Sequence, residues 1–130
     1  MTSSWELQFV AAARRGDEGD PQAAIDIFTR MLEQDDVPAY ARSLAGTNIA
    51  SMLLKLQRLD EAMEWYERAV ALDPEGEGAA VALGAKGMTL HALERFHECI
   101  ATFERLLELP ALPEESRVAA EHNLRALRGE

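Results

Sequence analysis

The chain repeats itself. Shifting residues 25–49 by 75 lays them on 100–124 without a gap and with nine identities, among them Ile25/Ile100, Phe28/Phe103, Pro38/Pro113, Arg42/Arg117, Ala45/Ala120 and Asn48/Asn123. A shorter pattern occurs three times: Ala24-Ile25-x-x-Phe28-x-Arg30-Met31-Leu32, Ala62-Met63-x-x-Tyr66-x-Arg68-Ala69-Val70 and Cys99-Ile100-x-x-Phe103-x-Arg105-Leu106-Leu107. The spacing is 38 residues from Phe28 to Tyr66 and 37 from Tyr66 to Phe103. A period of this length marks a stack of similar supersecondary units. Each unit cannot bury its apolar face alone, so about three must pile up and the ends must be capped.

Inside each unit apolar residues recur at three and four, and no stretch alternates with period two, which predicts an all-α fold. Aromatic residues make up only 6% of the chain, and that too favours closely packed helices over a sheet. Breakers at Gly16–Pro21, Asp35–Pro38, Asp73–Gly78 and Pro110–Pro113 divide the chain into seven predicted helices, over 3–15, 21–34, 38–56, 59–72, 79–92, 95–109 and 113–127. Pro21, Pro38 and Pro113 are expected in first turns, where no helical N–H bond is lost. Short connections require consecutive helices to run antiparallel. The small–large–small order of Ala62, Tyr66 and Ala69 suits such packing. Ala62 is expected to admit the paired helix, Tyr66 to fill the space between units, and Ala69 to admit the next unit.

These residues carry a family resemblance. The segment from Gly46 to Pro74 resembles a tetratricopeptide repeat, with Ile49, Ala50 and Leu53 on the first helix and Leu59, Ala62, Tyr66, Ala69 and Pro74 on the second. The third unit is similar through Leu83, Gly87, Leu90, Phe96, Cys99, Phe103 and Leu106, and the first through Trp5, Ala12, Ala24, Phe28 and Met31. The resemblance implies a right-handed superhelix of about three helix pairs (3–36, 38–74 and 77–110) in one domain spanning 1–130. Helix 113–127 resembles the opening helix of a fourth unit and would serve as the cap.

With 13 basic and 23 acidic residues the net charge is −10, and no basic patch stands out to neutralise phosphates. Nucleic acid and an anionic membrane surface are therefore not expected as partners. The stretch MTSSWELQFVAAARRG has no basic leader and is interrupted by Glu6, so it reads as neither a signal peptide nor a membrane span. The single cysteine, Cys99, has no partner for an internal disulfide, and the cytoplasm is the expected compartment.

Signals for chemistry are poor. His91, His97 and His122 lack metal-ligand spacing, and His97 and Cys99 point to different faces of a helix. Cys99 occupies a small-residue packing position and is expected to be buried and inert. The run GEGAAVALGAKGMT matches neither phosphate-loop pattern and follows no strand. No catalytic residue, metal site or cofactor is expected. Glycines within that helix lower its stability by roughly 0.5–1 kcal/mol each, so close approach of another backbone, from within or from a ligand, is expected.

In a tetratricopeptide array the first helix of each pair lines a concave groove. The resemblance therefore places Thr47, Asn48, Ser51 and Lys55 in the groove from one helix, and Val81, Gly84, Ala85, Met88 and His91 from the next. The cap adds His122 and Asn123. This surface is neutral and rich in small residues on a strongly acidic protein. Val81 and Met88 fit the core as well as the groove, and Asn48 and Asn123 suit either a ligand backbone or a neighbouring helix. Family members that clamp a terminal carboxylate use Lys and Asn on the first helix, Asn on the second opening helix, and Lys and Arg on the third. Only Asn48 matches, while Val81 and Ala85 hold the third-helix places. The expected function is a non-catalytic interaction module whose partner is another protein, offering an amphipathic helix or an extended apolar segment. The alternative is a scaffold that forms a homo-oligomer through exposed repeat ends or the Trp5/Phe9 helix.

Overall fold

The computed structural model describes residues 4–130 as seven helices: α1 (Ser4–Asp17), α2 (Pro21–Leu32), α3 (Ala39–Lys55), α4 (Leu59–Leu72), α5 (Glu77–Ala92), α6 (Phe96–Leu107) and α7 (Glu114–Leu127). Among the described residues there is no strand, and no helix is long and apolar enough to cross a membrane. The expected start of the first helix at residue 3 lies outside the described residues.

Several helix starts differ from expectation by a residue or two. α5 begins at Glu77 because the Asp73 carboxylate accepts a bond from the Gly78 N–H at 2.9 Å, and the Asp73 carbonyl another from Ala79 at 3.2 Å. Orphan donors of the first turn are thereby satisfied, and an apparent breaker segment becomes helix. Pro38 and Pro113 are N-caps in extended conformation, not first-turn residues; their carbonyls accept from the Arg42 and Arg117 N–H groups, each at 3.0 Å. The Arg42 side chain fixes that geometry by bonding the carbonyls of Leu32 (2.7 Å), Val37 (2.9 Å) and Gln34. Only Pro21 occupies the first helical position, after Asp20 accepts from the Ala23 N–H at 3.1 Å.

Each opening helix ends alike. Gly19, Gln57 and Glu94 adopt φ of 86°, 59° and 59°, and the N–H of the following residue reaches back to Arg15, Leu53 and Leu90 respectively, at 2.9 Å in each case. This is the Schellman closure, which favours glycine at the left-handed position. α7 ends the same way, at Gly129 with φ 75°, in keeping with an opening helix.

Ala24, Ala62 and Cys99 are fully buried at equivalent places, with Phe28, Tyr66 and Phe103 one turn further on. Burying each large side chain contributes ~1.5–3 kcal/mol. Two core clusters result, and Met63 packs against both. Ala69 plays a different part from the one expected. It faces Gly46 of its own pair, and the Ser43 hydroxyl donates to its carbonyl at 2.7 Å. The antiparallel course of α4 brings its last turn over the first half of α3. Approach of the next unit depends instead on Gly78, where a Cβ would lie 2.4 Å from the Ser43 Oγ. Glu67 of α4 clasps the later helices by accepting from Lys86 of α5 at 2.7 Å and Arg105 of α6 at 2.8 Å. The Arg105 bond, aided by Lys86, holds the Glu67 carboxyl below its usual range.

Candidate functional site

The spacings of 38 and 37 residues let the junctions between successive opening helices be compared at one register. Between α1 and α3 that register holds Trp5 and Tyr40, packed edge to face with ring centres 6.2 Å apart. Between α3 and α5 it holds Ser43 and Glu77, and the next residue, Gly78, is small enough to let the two helices pack directly on Ser43. Between α5 and α7 it holds Ala80 and Glu115. Ala80 lacks the bulk to bridge the helices, and Glu115 is exposed. α7 packs along α6 and stands off α5.

The space left is a cleft of about 730 Å³ between α5 and α7, floored by Phe103 and Leu106 of α6. A hollow of about 460 Å³ adjoins it, sharing Met88, Phe103 and Asn123 and reaching His91, Phe96 and Leu127. Both volumes lie in the range of ligand-holding clefts, about 300–1,000 Å³. Ser116 and Asn123 are the polar side chains of the α7 wall, while Glu75 and Glu77 mark one end. The floor is deep, with Phe103 only 4% exposed, whereas Met88 on the rim is 58% exposed.

Two glycines of α5 separate packing from vacancy. A Cβ on Gly87 would meet the Phe103 ring at 2.9 Å, so close approach of α6 demands glycine there. A Cβ on Gly84 would meet nothing within 4 Å. The residue equivalent to Gly84 in α1, 75 positions earlier, is Phe9, whose ring packs edge to face on Phe28 at 5.2 Å. Phe28 is the counterpart of Phe103. The cleft is thus the space that aromatic side chains fill two units earlier.

Of the residues expected in the groove, Val81, Gly84, Met88, His91 and Asn123 come together along this cleft. The others do not. Thr47 is a correction: it is 8% exposed, inside the packing, and its hydroxyl has no hydrogen-bond partner. Asn48 donates to the Leu44 carbonyl of its own helix at 2.9 Å, and Ala85 packs on the first core cluster. Ser51, Lys55 and His122 lie off the cleft, on α3 and α7. α3 packs directly on α5, with Asn48 and Ser51 half-buried and Lys55 exposed on α3. On the helix expected to meet another copy, the Trp5 and Phe9 rings themselves pack within the chain on Tyr40 and Phe28. Sequence reasoning missed the floor, because Phe103, Leu106 and Leu112 carry the pattern of core residues. The signal that finds it is the same shift of 75, extended backwards until Phe9 falls on Gly84.

Cys99 is buried, its thiol donates to the Gly87 carbonyl at 3.3 Å, and burial pushes its pKa up. Among the described residues no group of three or more His, Cys, Asp or Glu is placed to hold a metal ion.

Residues 40–110 match the profile of the tetratricopeptide repeat, more than half of the chain. The chain belongs to the tetratricopeptide repeat family. Solved structures agree with this tetratricopeptide superhelical fold. The first TPR of Spaghetti (RPAP3), bound to HSP90 peptide SRMEEVD, superposes with a TM-score of 0.69 at 25% identity, over 96% of this chain and 93% of that one. The Arabidopsis OM64 TPR domain gives 0.65 at 20% identity, with 95% of each chain covered. The second TPR domain of human RPAP3, in complex with HSP70 peptide SGPTIEEVD, gives 0.60 at 24% identity, covering 98% and 100%. No curated protein matches the tetratricopeptide chain closely enough to count as a relative.

Proposed function

We propose that this chain is a single tetratricopeptide domain, three helix pairs and a cap, that holds an apolar segment of another protein in the α5/α7 cleft. The observation that carries the reading is the cleft lined by Phe103 and by Gly84, a helical glycine that no packing contact requires. A neighbouring fold that holds a peptide, the first TPR of Spaghetti, supports a protein partner. An acidic tail such as that peptide suits this cleft poorly, because Glu75 and Glu77 stand at its end and the chain carries a charge of −10. The energy would come from burying apolar surface against Phe103, Leu106 and Met88, with Asn123 and Ser116 fixing orientation.

The test is peptide display. A random library selected on the wild type, with removal of binders to the folded Gly84→Glu/Met88→Glu variant, should return sequences that bind only the wild type. Failure to enrich any such sequence would refute the reading. Self-association is the second reading, favoured by Leu7 and Val10, which leave an apolar stripe on α1 62% and 57% exposed. Sedimentation that shifts with concentration, and reverts in Leu7→Lys/Val10→Lys, would support it instead.

A further inference from the structure

The geometry points to one kind of occupant for this cleft, and the inference rests on the binding reading above. We propose that it is an amphipathic helix of another protein, presenting two large apolar side chains one turn apart. At least one of them is aromatic, and a cationic residue lies at the end over Glu75 and Glu77.

The spacing comes from the chain's own duplication. In α1, Trp5 and Phe9 stand one turn apart and pack on Tyr40 and Phe28. Their counterparts on α5, Ala80 and Gly84, both line the cleft and leave those two places empty. Four residues of helix advance about 6 Å, so anchors at i and i+4 of an incoming helix match the two vacancies. One of its rings would meet Phe103 edge to face, as Phe9 meets Phe28.

The conformation follows from the walls. Ser116 and Asn123 are too few to satisfy the N–H and C=O groups of an extended strand, and leaving such groups unpaired beside Phe103 and Leu106 is costly. A helix arrives with its backbone already bonded. From Glu77 to His91 the α5 wall extends about 21 Å, room for roughly fourteen helical residues.

Charge sets the direction of the search. Glu75 and Glu77 are exposed at one end of the cleft, on a chain of net charge −10. A cationic flank complements that end, whereas a second copy of this acidic chain is repelled. That copy's Trp5 and Phe9 are also already committed.

A labelled, stapled helical probe of about fourteen residues, with Trp and Phe at i and i+4 and Arg at one end, tests this by fluorescence anisotropy and amide-shift mapping. The wild type should bind it, with shifts confined to α5, α6 and α7. Replacing Trp and Phe of the probe by Ala should weaken binding about tenfold or more, and Glu75→Gln/Glu77→Gln should weaken it and flatten its salt dependence. Gly84→Phe restores the ring present two units earlier, so this variant should melt no lower than wild type and yet lose the probe. Equal binding by wild type and Gly84→Phe overturns the inference. Cleft shifts caused by an unstapled, Pro-containing apolar probe or by SRMEEVD, and not by the helix, overturn it while leaving the binding reading intact. That reading falls only if the display selection also returns no cleft ligand.

Discussion

Gly84 and Gly87 sit one turn apart on α5, and the same substitution should move them in opposite directions. Replacing a helical glycine by alanine gains roughly 0.5–1 kcal/mol, through the smaller entropy of the unfolded chain. At Gly84 the new methyl group meets no atom within 4 Å, so the whole gain should be realised. At Gly87 the methyl would lie 2.9, 3.0 and 3.2 Å from three atoms of the Phe103 ring. Carbon atoms prefer about 3.5–4.0 Å, so the ring must move into the cleft. Overpacking of this kind costs about 1–3 kcal/mol and exceeds the entropic gain. For a domain of this size 1 kcal/mol corresponds to about 4 °C in Tm. Gly84→Ala should therefore melt ~2–4 °C above wild type and Gly87→Ala up to ~10 °C below it, by calorimetry with matched denaturant curves. Two variants that shift together would refute the division of α5 into a packed glycine and a vacant one. The cleft would then have no structural definition.

Other consequences are as direct. Arg42→Ala removes bonds to three carbonyls and should cost ~1.5–3 kcal/mol in urea unfolding, whereas Arg117→Ala, which loses a single bond of 3.5 Å to Leu107, should cost less than about 1. Glu67 has its carboxyl pKa lowered in the fold, so its clasp contributes fully above the usual glutamate value of 4.5 and is lost as the pH falls through the folded value. Glu67→Gln should flatten that part of the acid unfolding curve; an unchanged curve would mean the clasp contributes nothing. Native Cys99 should resist a thiol reagent at neutral pH and react only as fast as the chain opens, measured by release of the chromophore.

Most of the fold was legible because its determinants are local. Breaker segments such as Gly16–Pro21 and Pro110–Pro113 punctuate the helices to within a residue or two, and the Phe28–Tyr66–Phe103 spacing counts the units. What stayed hidden depends on distances between helices. Pattern alone treats every junction between opening helices as alike, and so placed Thr47 and Asn48 in the same groove as Gly84 and Met88. Ser43 and Gly78 draw α3 and α5 together, whereas Ala80 and Gly84 leave room between α5 and α7. Depth was illegible for a related reason. A floor residue such as Phe103 has the periodicity of core, and only the loss of a partner ring, Phe9 replaced by Gly84, betrays that it also lines a cleft.

Because α7 rests on α6 and not on α5, the last helix of the stack is fastened along one edge only. End units of such arrays detach first, since each is held by a single neighbour. Hydrogen exchange should accordingly be fastest in α7, and a stretching force should peel it before any other helix yields. A segment lodged against both walls would supply the second edge and act as a splint. Occupancy would then be felt as stiffness, in helices that the partner secures without being part of the chain.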